Sequence, residues 1–302
     1  IFGIDISAMK WVDGESFPEL SKRVFSTWEN PNILAGYLDI VACIAVGLAS
    51  ALQRGWRILA LVLLVAALAC LGMTYARGAC LVIAAILAGY GALRDWRVLL
   101  GIAVLGAGAL LADPVLADRL LSVFTRIDTS SEMRLAFWES TAAMILDHPF
   151  LGIGWGMYFM VYPEYDFYLQ GAPVQIVHAH NMYLNYAAEI GVPGALSFLW
   201  FFFGSLLLAF RLPDRAQPWE TVLAAHEHEW KTVADVRAAL SRWRRRRFVE
   251  GLSLGLGLAF ISVALNGVTD HLLFNIPSSM LLWMLAAMTA ALHTIAGEMK
   301  EG

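Results

Sequence analysis

Long apolar stretches alternate with shorter polar segments along most of the chain. A membrane-spanning helix needs ~20 mostly apolar residues, and ~17 is the practical minimum. Seven stretches meet or approach this length, and the third and fourth are the shortest. They are Ile33–Leu52, Trp56–Tyr75, Gly78–Leu93, Val98–Ala112, Met182–Phe210, Gly251–Val268 and Pro277–Ile295. The pattern therefore predicts an all-α fold, a polytopic transmembrane helix bundle of about seven spans.

The polar segments set the organisation of the chain. We expect six parts: 1–32 ahead of the first span, 33–112 with four spans, 113–181 as a large loop carrying short helices, 182–210 as a fifth span, 211–250 as a basic loop, and 251–302 with two spans and a tail.

The basic residues predict the orientation, because cytoplasmic loops carry an excess of Lys and Arg. Of the 21 Lys and Arg residues, one set of alternate loops holds fourteen and the other seven. The richer set includes Arg242–Arg247 and should be cytoplasmic. Segments 1–32 and 113–181 are then outside. Since no signal peptide precedes that outer first segment, we expect several N-terminal spans to be missing from this sequence.

Composition supports a membrane protein. Apolar residues make up 59% of the chain and charged residues 15%, with a mean hydropathy of +0.63. Soluble domains have about 45–50% apolar and about 25% charged residues. A net charge of −4 argues against a nucleic-acid binder that relies on general basicity. The three cysteines lie in apolar runs, in neither zinc-site nor redox-pair spacing.

Three residues near the outer boundary carry the candidate chemistry. His180 can take up and return a proton near neutral pH, as a base for a hydroxyl group requires. Arg77 lies on the outer side, where topology does not require positive charge, and Arg134 opens a helical stretch that includes Trp138. Two guanidinium groups can hold a diphosphate through bidentate hydrogen bonds. Together they indicate glycosyl transfer from a lipid diphosphate. The alternative is that both arginines are ordinary interfacial residues.

Three further segments have a structural interpretation. Gly152–Gly156 resembles a phosphate loop, but no strand precedes it and no Lys-Ser/Thr pair follows it. We interpret it as a tight turn that lets another group approach closely. The Arg242–Arg247 run is interpreted as a topology determinant, and Gln217–Ala239 as a short amphipathic helix.

The ordered motifs resemble the O-antigen ligase family of bacterial inner-membrane proteins. The matching elements are Pro31-Asn32 with Ile33–Ala35, Tyr75–Gly78 with Ala76 at a position where the family usually has a hydroxyl residue, Arg134 with Trp138, His148–Gly156, and His180–Gly194. The resemblance extends from about residue 30 to the Asp270-His271 region.

The resemblance implies a role for each matched position. Arg77 and Arg134 would bind the undecaprenyl diphosphate of a lipid-linked glycan donor, and His180 would be the catalytic base. Asn181, Glu189, Trp138 and Asn32 would support them. Transfer would be inverting, independent of metal and without a cofactor, at the periplasmic face of the inner membrane. Arg119 and Arg126 are alternative phosphate partners.

The acceptor stays open at this point. Ligation of O-antigen to lipid A core, in lipopolysaccharide biosynthesis, is the first expectation. The family also includes O-antigen and exopolysaccharide polymerases and protein O-oligosaccharyltransferases. A polysaccharide or lipid transporter and a non-enzymatic assembly component are the alternatives from other classes. A transporter predicts internal repeats and ionisable groups at the bilayer midplane. No repeat is evident, and the acids within the predicted spans are Asp39 and Glu189.

Overall fold

The fold is helical throughout the described part of the chain. The computed structural model describes residues 23–28, 30–125, 129–167, 176–211, 217–226, 230 and 232–301, and these contain no strand. Their α-helices are α1 (Pro31–Ala51), α2 (Arg54–Met73), α3 (Arg77–Leu93), α4 (Trp96–Ala112), α5 (Pro114–Thr125), α6 (Thr129–Asp147), α7 (Tyr158–Val161), α8 (Met182–Phe210), α9 (Trp219–His226), α10 (Val233–Asn266) and α11 (Ile276–Glu301). The prediction of an all-α bundle is confirmed.

The apolar helices correspond to the predicted spans. Among the described residues, α1, α2, α8, α10 and α11 are long and apolar enough to cross a membrane, and α3 and α4 are shorter apolar helices of 17 residues each. A helix of 17 residues is about 26 Å long, slightly less than the hydrocarbon core. The chain is therefore a multi-pass membrane protein. Segment 1–22 lies outside the described residues.

Helices α1 and α10 form the centre of the bundle. In their most apolar windows, 72% of α1 and 67% of α10 are buried, against 17% of α2. Glycines allow the two backbones to touch. A Cβ on Gly251 would lie 2.5 Å from that of Ala51, and one on Gly255 would lie 2.7 Å from the Cα of Ile44. Small residues four apart permit such close packing in membranes, where apolar side chains gain little by leaving lipid.

The fifth predicted span is broken. Gly191 has φ 71° and ψ 167°, and Pro193 follows two residues later, so α8 consists of segments 182–190 and 192–210. A proline within a helix removes one backbone hydrogen bond, and a glycine with positive φ ends the helical path. Met182–Phe210 is long and apolar enough to cross a membrane, as predicted, but its helix is kinked at Gly191. Residues 192–210 alone would reach about 28 Å.

The basic segment is also more helical than expected. The single amphipathic helix predicted over Gln217–Ala239 is wrong, because α9 ends at His226 and α10 begins at Val233. Thr232 caps α10 through a reciprocal capping box with Asp235. From there α10 continues through the arginine run into the last-but-one span. Arginine favours helix, and no glycine or proline interrupts 233–250.

Candidate active site

His180 lies in a short connection that is fixed by hydrogen bonds on both sides. Its φ is 48°, an uncommon left-handed conformation for a residue with a side chain. Its backbone N–H donates to Nδ1 of His178 at 3.1 Å, and the N–H of Ala179 donates to Asn185 at 3.0 Å. Such a conformation costs of order 1–3 kcal/mol and persists only where its surroundings enforce it. The fold therefore fixes the position of the imidazole.

Asn181 attaches this connection to two helices. Its side chain caps α8 by accepting from the N–H of Leu184 at 3.0 Å, and its Nδ2 donates to the carbonyl of Val268 at 2.9 Å. The N–H of Met182 donates to the carbonyl of Gly267 at 2.7 Å. The start of α8 is thereby held against the end of α10. Asn181 therefore joins the histidine connection to both α8 and α10.

Asp270 is the principal partner of His180. Nδ1 of His180 lies 3.1 Å from Oδ1 of Asp270, and Nδ2 of Asn32 donates to Oδ2 at 3.0 Å. The N–H of His271 also donates to Oδ1, at 2.8 Å. Burial alone would raise the pKa of this carboxyl. The charge and hydrogen bond of His180, together with the charge of Arg134, lower the pKa of Asp270 below its usual range. Asp270 is thus ionised at neutral pH.

A buried arginine extends this network. Nη2 of Arg23 donates to Oδ1 of Asn32 at 2.8 Å, and its Nε donates to the carbonyl of Thr74 at 2.7 Å. Since Oδ1 of Asn32 accepts from Arg23, the Nδ2 group of Asn32 faces Asp270. The hydrogen bonds therefore form a directed chain from Arg23 through Asn32 to Asp270. The structure thus places Asn32 in contact with Asp270, and it adds Arg23 and Asp270 to the candidate residues.

Two more histidines flank the pair and are neutral. His178 is 4% exposed and His271 is 3% exposed. Burial lowers the pKa of both, to about 4 for His271. His178, His180 and Asp270 each offer one ligand atom, and these atoms lie within 4.8 Å of one another. Three donors suited to a metal ion are thus grouped, which the spacing in the sequence does not reveal.

Helix α6 brings Arg134 to the same place. Phe137, one turn later, stacks on the ring of His180, with centroids 5.7 Å apart and planes at 22°. The positive charge of Arg134 acts on both His178 and Asp270. Trp138, four residues after Arg134 in α6, has a buried Nε1 with no hydrogen-bond partner among the described residues. Arg134 and His180, predicted from distant parts of the sequence, therefore share one site.

Arg77 begins α3 next to the segment that carries Asp270. Tyr75 has φ 51° and donates to Asp113 at 2.6 Å, which turns the chain into the helix. A Cβ on Gly78 would lie 3.5 Å from Oγ1 of Thr269. The first turn of α3 therefore packs beside the residue that precedes Asp270. Arg126 and the side chain of Arg119 lie outside the described residues.

The glycine-rich turn packs against the break in α8. Gly152 has φ 69°, and a Cβ there would lie 2.5 Å from the backbone of Glu189. The N–H groups of Ile153 and Gly154 donate to the carbonyls of Ala188 and Glu189, at 2.8 and 3.0 Å. The interpretation as a tight turn that permits close approach is confirmed.

Glu189 fixes this turn rather than facing the histidines. It is 6% exposed, and its carboxylate accepts from the backbone of Gly156 and Tyr158 and from the side chain of Asn185. Asn185 also accepts from Ala179, so Glu189 reaches the histidine connection only through that residue.

Comparison with known proteins gives one finding. Residues 62–199 match the family model described as O-Antigen ligase. The match includes Arg77, Arg134 and His180, whereas Asn32 and Asp270 lie outside it. No curated protein matches the chain.

Proposed function

We propose that the chain is a membrane glycosyltransferase of the O-antigen ligase family, because residues 62–199 match that family model. In this proposal it transfers a glycan from undecaprenyl diphosphate to an acceptor hydroxyl. The observation that supports the proposal best is the His180–Asp270 hydrogen bond beside Arg134. It groups a base, a carboxylate that orients the base and a cation for a leaving group, as acyl- and glycosyl-transfer chemistry requires.

His180 would act as the base through Nε2. Because Nδ1 donates to ionised Asp270, the neutral ring carries its proton on Nδ1 and its lone pair on Nε2. Nε2 accepts the proton of the acceptor hydroxyl while that oxygen attacks the anomeric carbon of the donor sugar. The bond between this carbon and the diphosphate oxygen breaks, and the configuration inverts. Asp270 stabilises the imidazolium that forms. Positioned acid–base catalysis of this kind contributes ~10²–10⁴-fold in rate.

Arg134 and Arg77 would receive the negative charge of the departing diphosphate. Guanidinium groups suit this task because they bind phosphate oxygens in pairs and stay protonated. Arg77 stands in the first turn of α3, where the helix dipole also favours an anion. No metal ion is needed to neutralise the leaving group in this scheme, so we propose a metal-independent, inverting transfer.

The position of the site along α10 supports a periplasmic orientation. Arg247 at one end of the span donates to the carbonyl of Ser50 and to Glu250, while Asn266 lies at the other end, next to Asp270. Nineteen steps of helix separate Arg247 from Asn266, which corresponds to about 28 Å, close to the ~30 Å hydrocarbon core. If the arginine-rich end is cytoplasmic, the site faces the periplasm. We propose this arrangement at the inner membrane, with residues 113–181 as the periplasmic loop.

For the acceptor we propose lipid A core, which makes the reaction a step of lipopolysaccharide biosynthesis. A growing glycan or a protein Ser/Thr would use the same chemistry at the base. No contact among the described residues favours a transporter or a passive scaffold. Asp39, an acid inside the span of α1, is buried at the contact of α1 and α10, where it accepts from Asn266 at 2.9 Å.

The test uses the full chain in lipid with an undecaprenyl-diphosphate-linked glycan. Lipid A core, a free glycan repeat and a Ser-rich peptide are offered in parallel, and the glycosylated product is measured. His180→Ala, Arg77→Ala and Arg134→Ala should each reduce turnover at least 100-fold, by the order of effect expected for a lost base or charge stabiliser. His148→Ala, an exposed histidine outside the site, is the matched control. Turnover that persists in all three variants would show that the assignment is wrong.

A further inference from the structure

We propose that His178, His180 and Asp270 bind a divalent transition-metal ion of the zinc or cobalt type, and that the bound ion inhibits glycosyl transfer. The inhibitory part rests on the proposed function. The binding part rests on the geometry of the three side chains alone, so the two can be tested separately.

The ligand geometry suits a small ion. In tetrahedral zinc sites the bonds are about 2.0–2.2 Å, which places neighbouring donor atoms roughly 3.3–3.5 Å apart. Nδ1 of His180 and Oδ1 of Asp270 are 3.1 Å apart, close to this separation. His178 precedes His180 by two residues, and the centroids of their rings are 4.2 Å apart. The ligand atoms of His178, His180 and Asp270 all lie within 4.8 Å of one another. A rotation of the His178 ring would complete the set.

The donor types select the class of metal. Two imidazoles and one carboxylate suit zinc, cobalt, nickel or copper, whereas magnesium and calcium prefer sites made of oxygen atoms. Three protein ligands also leave a fourth position open, as in exchangeable zinc sites. His180 is the member with most access, since its side chain is 30% exposed. The ion can therefore enter from solvent.

The surroundings give two opposing influences. A metal ion bound to Oδ1 of Asp270 would leave Oδ2 free to accept from Asn32, as it does in the structure. Hydrogen bonds of this kind hold a metal-binding carboxylate in place. His271 packs against His178 and has a buried Nδ1 with no partner among the described residues. The positive charge of Arg134 acts on Asp270 and opposes a cation. We therefore expect reversible binding that is weaker than in a structural zinc site.

Inhibition follows from the tautomer of His180. The ion occupies Nδ1, the nitrogen that otherwise donates to Asp270, and the ring proton moves to Nε2. No proton leaves the protein in this exchange. A ring with metal on Nδ1 and hydrogen on Nε2 has no lone pair for the acceptor hydroxyl. Removal of the ion by a chelator restores the original tautomer and the activity.

The test is a titration of the purified full chain in lipid nanodiscs with Co²⁺, followed by its visible ligand-field absorption. Zn²⁺ is then added to displace it. We expect one saturable equivalent of Co²⁺. His178→Gln and Asp270→Asn should each weaken binding by ~10–100-fold or more, the range found when a metal site loses a key contact. The controls are His293→Gln, an exposed histidine in α11, and the double variant His226→Gln with His228→Gln.

The outcomes separate the two proposals. Two results would overturn the metal site. One is the absence of saturable Co²⁺ absorption. The other is absorption that persists in both site variants but is lost in a control variant. Binding at the site without inhibition of transfer by Zn²⁺ overturns the inhibitory part. If no glycan transfer occurs under any condition, the proposed function fails, and the Co²⁺ titration still decides whether the site exists.

Discussion

The Asp270→Asn substitution tests the centre of the proposed site with the smallest change in shape. The Asp270 side chain accepts from three donors: Nδ1 of His180, the N–H of His271 and Nδ2 of Asn32. An asparagine has one accepting oxygen and one donating NH₂ group, so it cannot accept on both sides. Because Arg23 donates to Oδ1 of Asn32, that amide cannot simply reverse to help.

Either orientation of the new amide disturbs the base. If its oxygen faces Asn32, its NH₂ group faces His180 and forces Nδ1 to accept, which moves the ring proton to Nε2. If its oxygen faces His180, two NH₂ groups meet at Asn32 and the negative charge is still lost. Both arrangements therefore weaken proton abstraction, one through the tautomer and the other through the missing charge.

The magnitude can be worked from the contact. Unit charges about 4 Å apart at an effective dielectric constant of about 20 interact by ~4 kcal/mol. At ~1.4 kcal/mol per factor of ten, the full effect on a forming imidazolium corresponds to about 10³-fold in rate. Since the His180 side chain is 30% exposed, solvent screens part of this. We expect turnover to fall by about 100- to 1,000-fold.

The assay compares single-turnover rates with saturating donor, so that chemistry is measured apart from binding. Asp147→Asn is the matched control, because Asp147 is an exposed carboxylate at the end of α6 that accepts from Tyr165 at 2.9 Å. It should change the rate less than threefold. Less than a tenfold fall for Asp270→Asn, in protein with wild-type thermal stability, would refute the role given to the His180–Asp270 pair.

Two further predictions concern stability. Because burial lowers the pKa of His271 to about 4 from an unfolded value near 6.5, the unfolded chain binds more protons between these pH values, and stability falls on acidification through this window. His271→Gln should remove about 3 kcal/mol of this pH-dependent loss in the free energy of unfolding. The plot of melting temperature against pH should therefore become flatter, and an unchanged slope would contradict the prediction. Gly191→Ala should lower the melting temperature sharply, since φ is 71° and its Cβ would meet the carbonyl oxygen of Phe150, whereas Gly204→Ala in the same helix meets no atom within 4 Å. Equal effects of the two glycine variants would exclude the tight packing of the turn as the cause.

The hydropathy pattern predicts the bundle well because lipid requires long apolar helices whatever their packing. It is less informative where packing decides. The 29-residue stretch of α8 is longer than one crossing needs, and Gly191 with Pro193 signals the break, but only the approach of Phe150 and Gly152 explains its position. The extension of α10 follows local helix propensity, which a division into loops and spans neglects.

The candidate site was predictable only in part, for a related reason. Arg77, Arg134 and His180 stand in motifs and can be found one by one. Asp270 lies 90 residues from His180 and 238 residues from Asn32, so their contacts depend on how α1, α8 and α10 meet. An acid and a histidine at the end of a span are functional candidates by position. The pattern does not say which distant residue they face.

The direction of the helices explains why these distant residues meet at one end of the bundle. Helices α1, α3 and α8 all begin near the site, and α10 ends there, as expected when successive spans run in opposite directions. Helix N-termini carry partial positive charge. Asn30 caps α1 and Asn181 caps α8 through side-chain oxygens, whereas Ala76 at the start of α3 provides no side-chain cap. Of these three N-termini, that of α3 is the one without a side-chain cap, and α3 is the helix that begins with Arg77. Ala76 therefore leaves the N-terminus of α3 without the kind of cap that a hydroxyl side chain could supply.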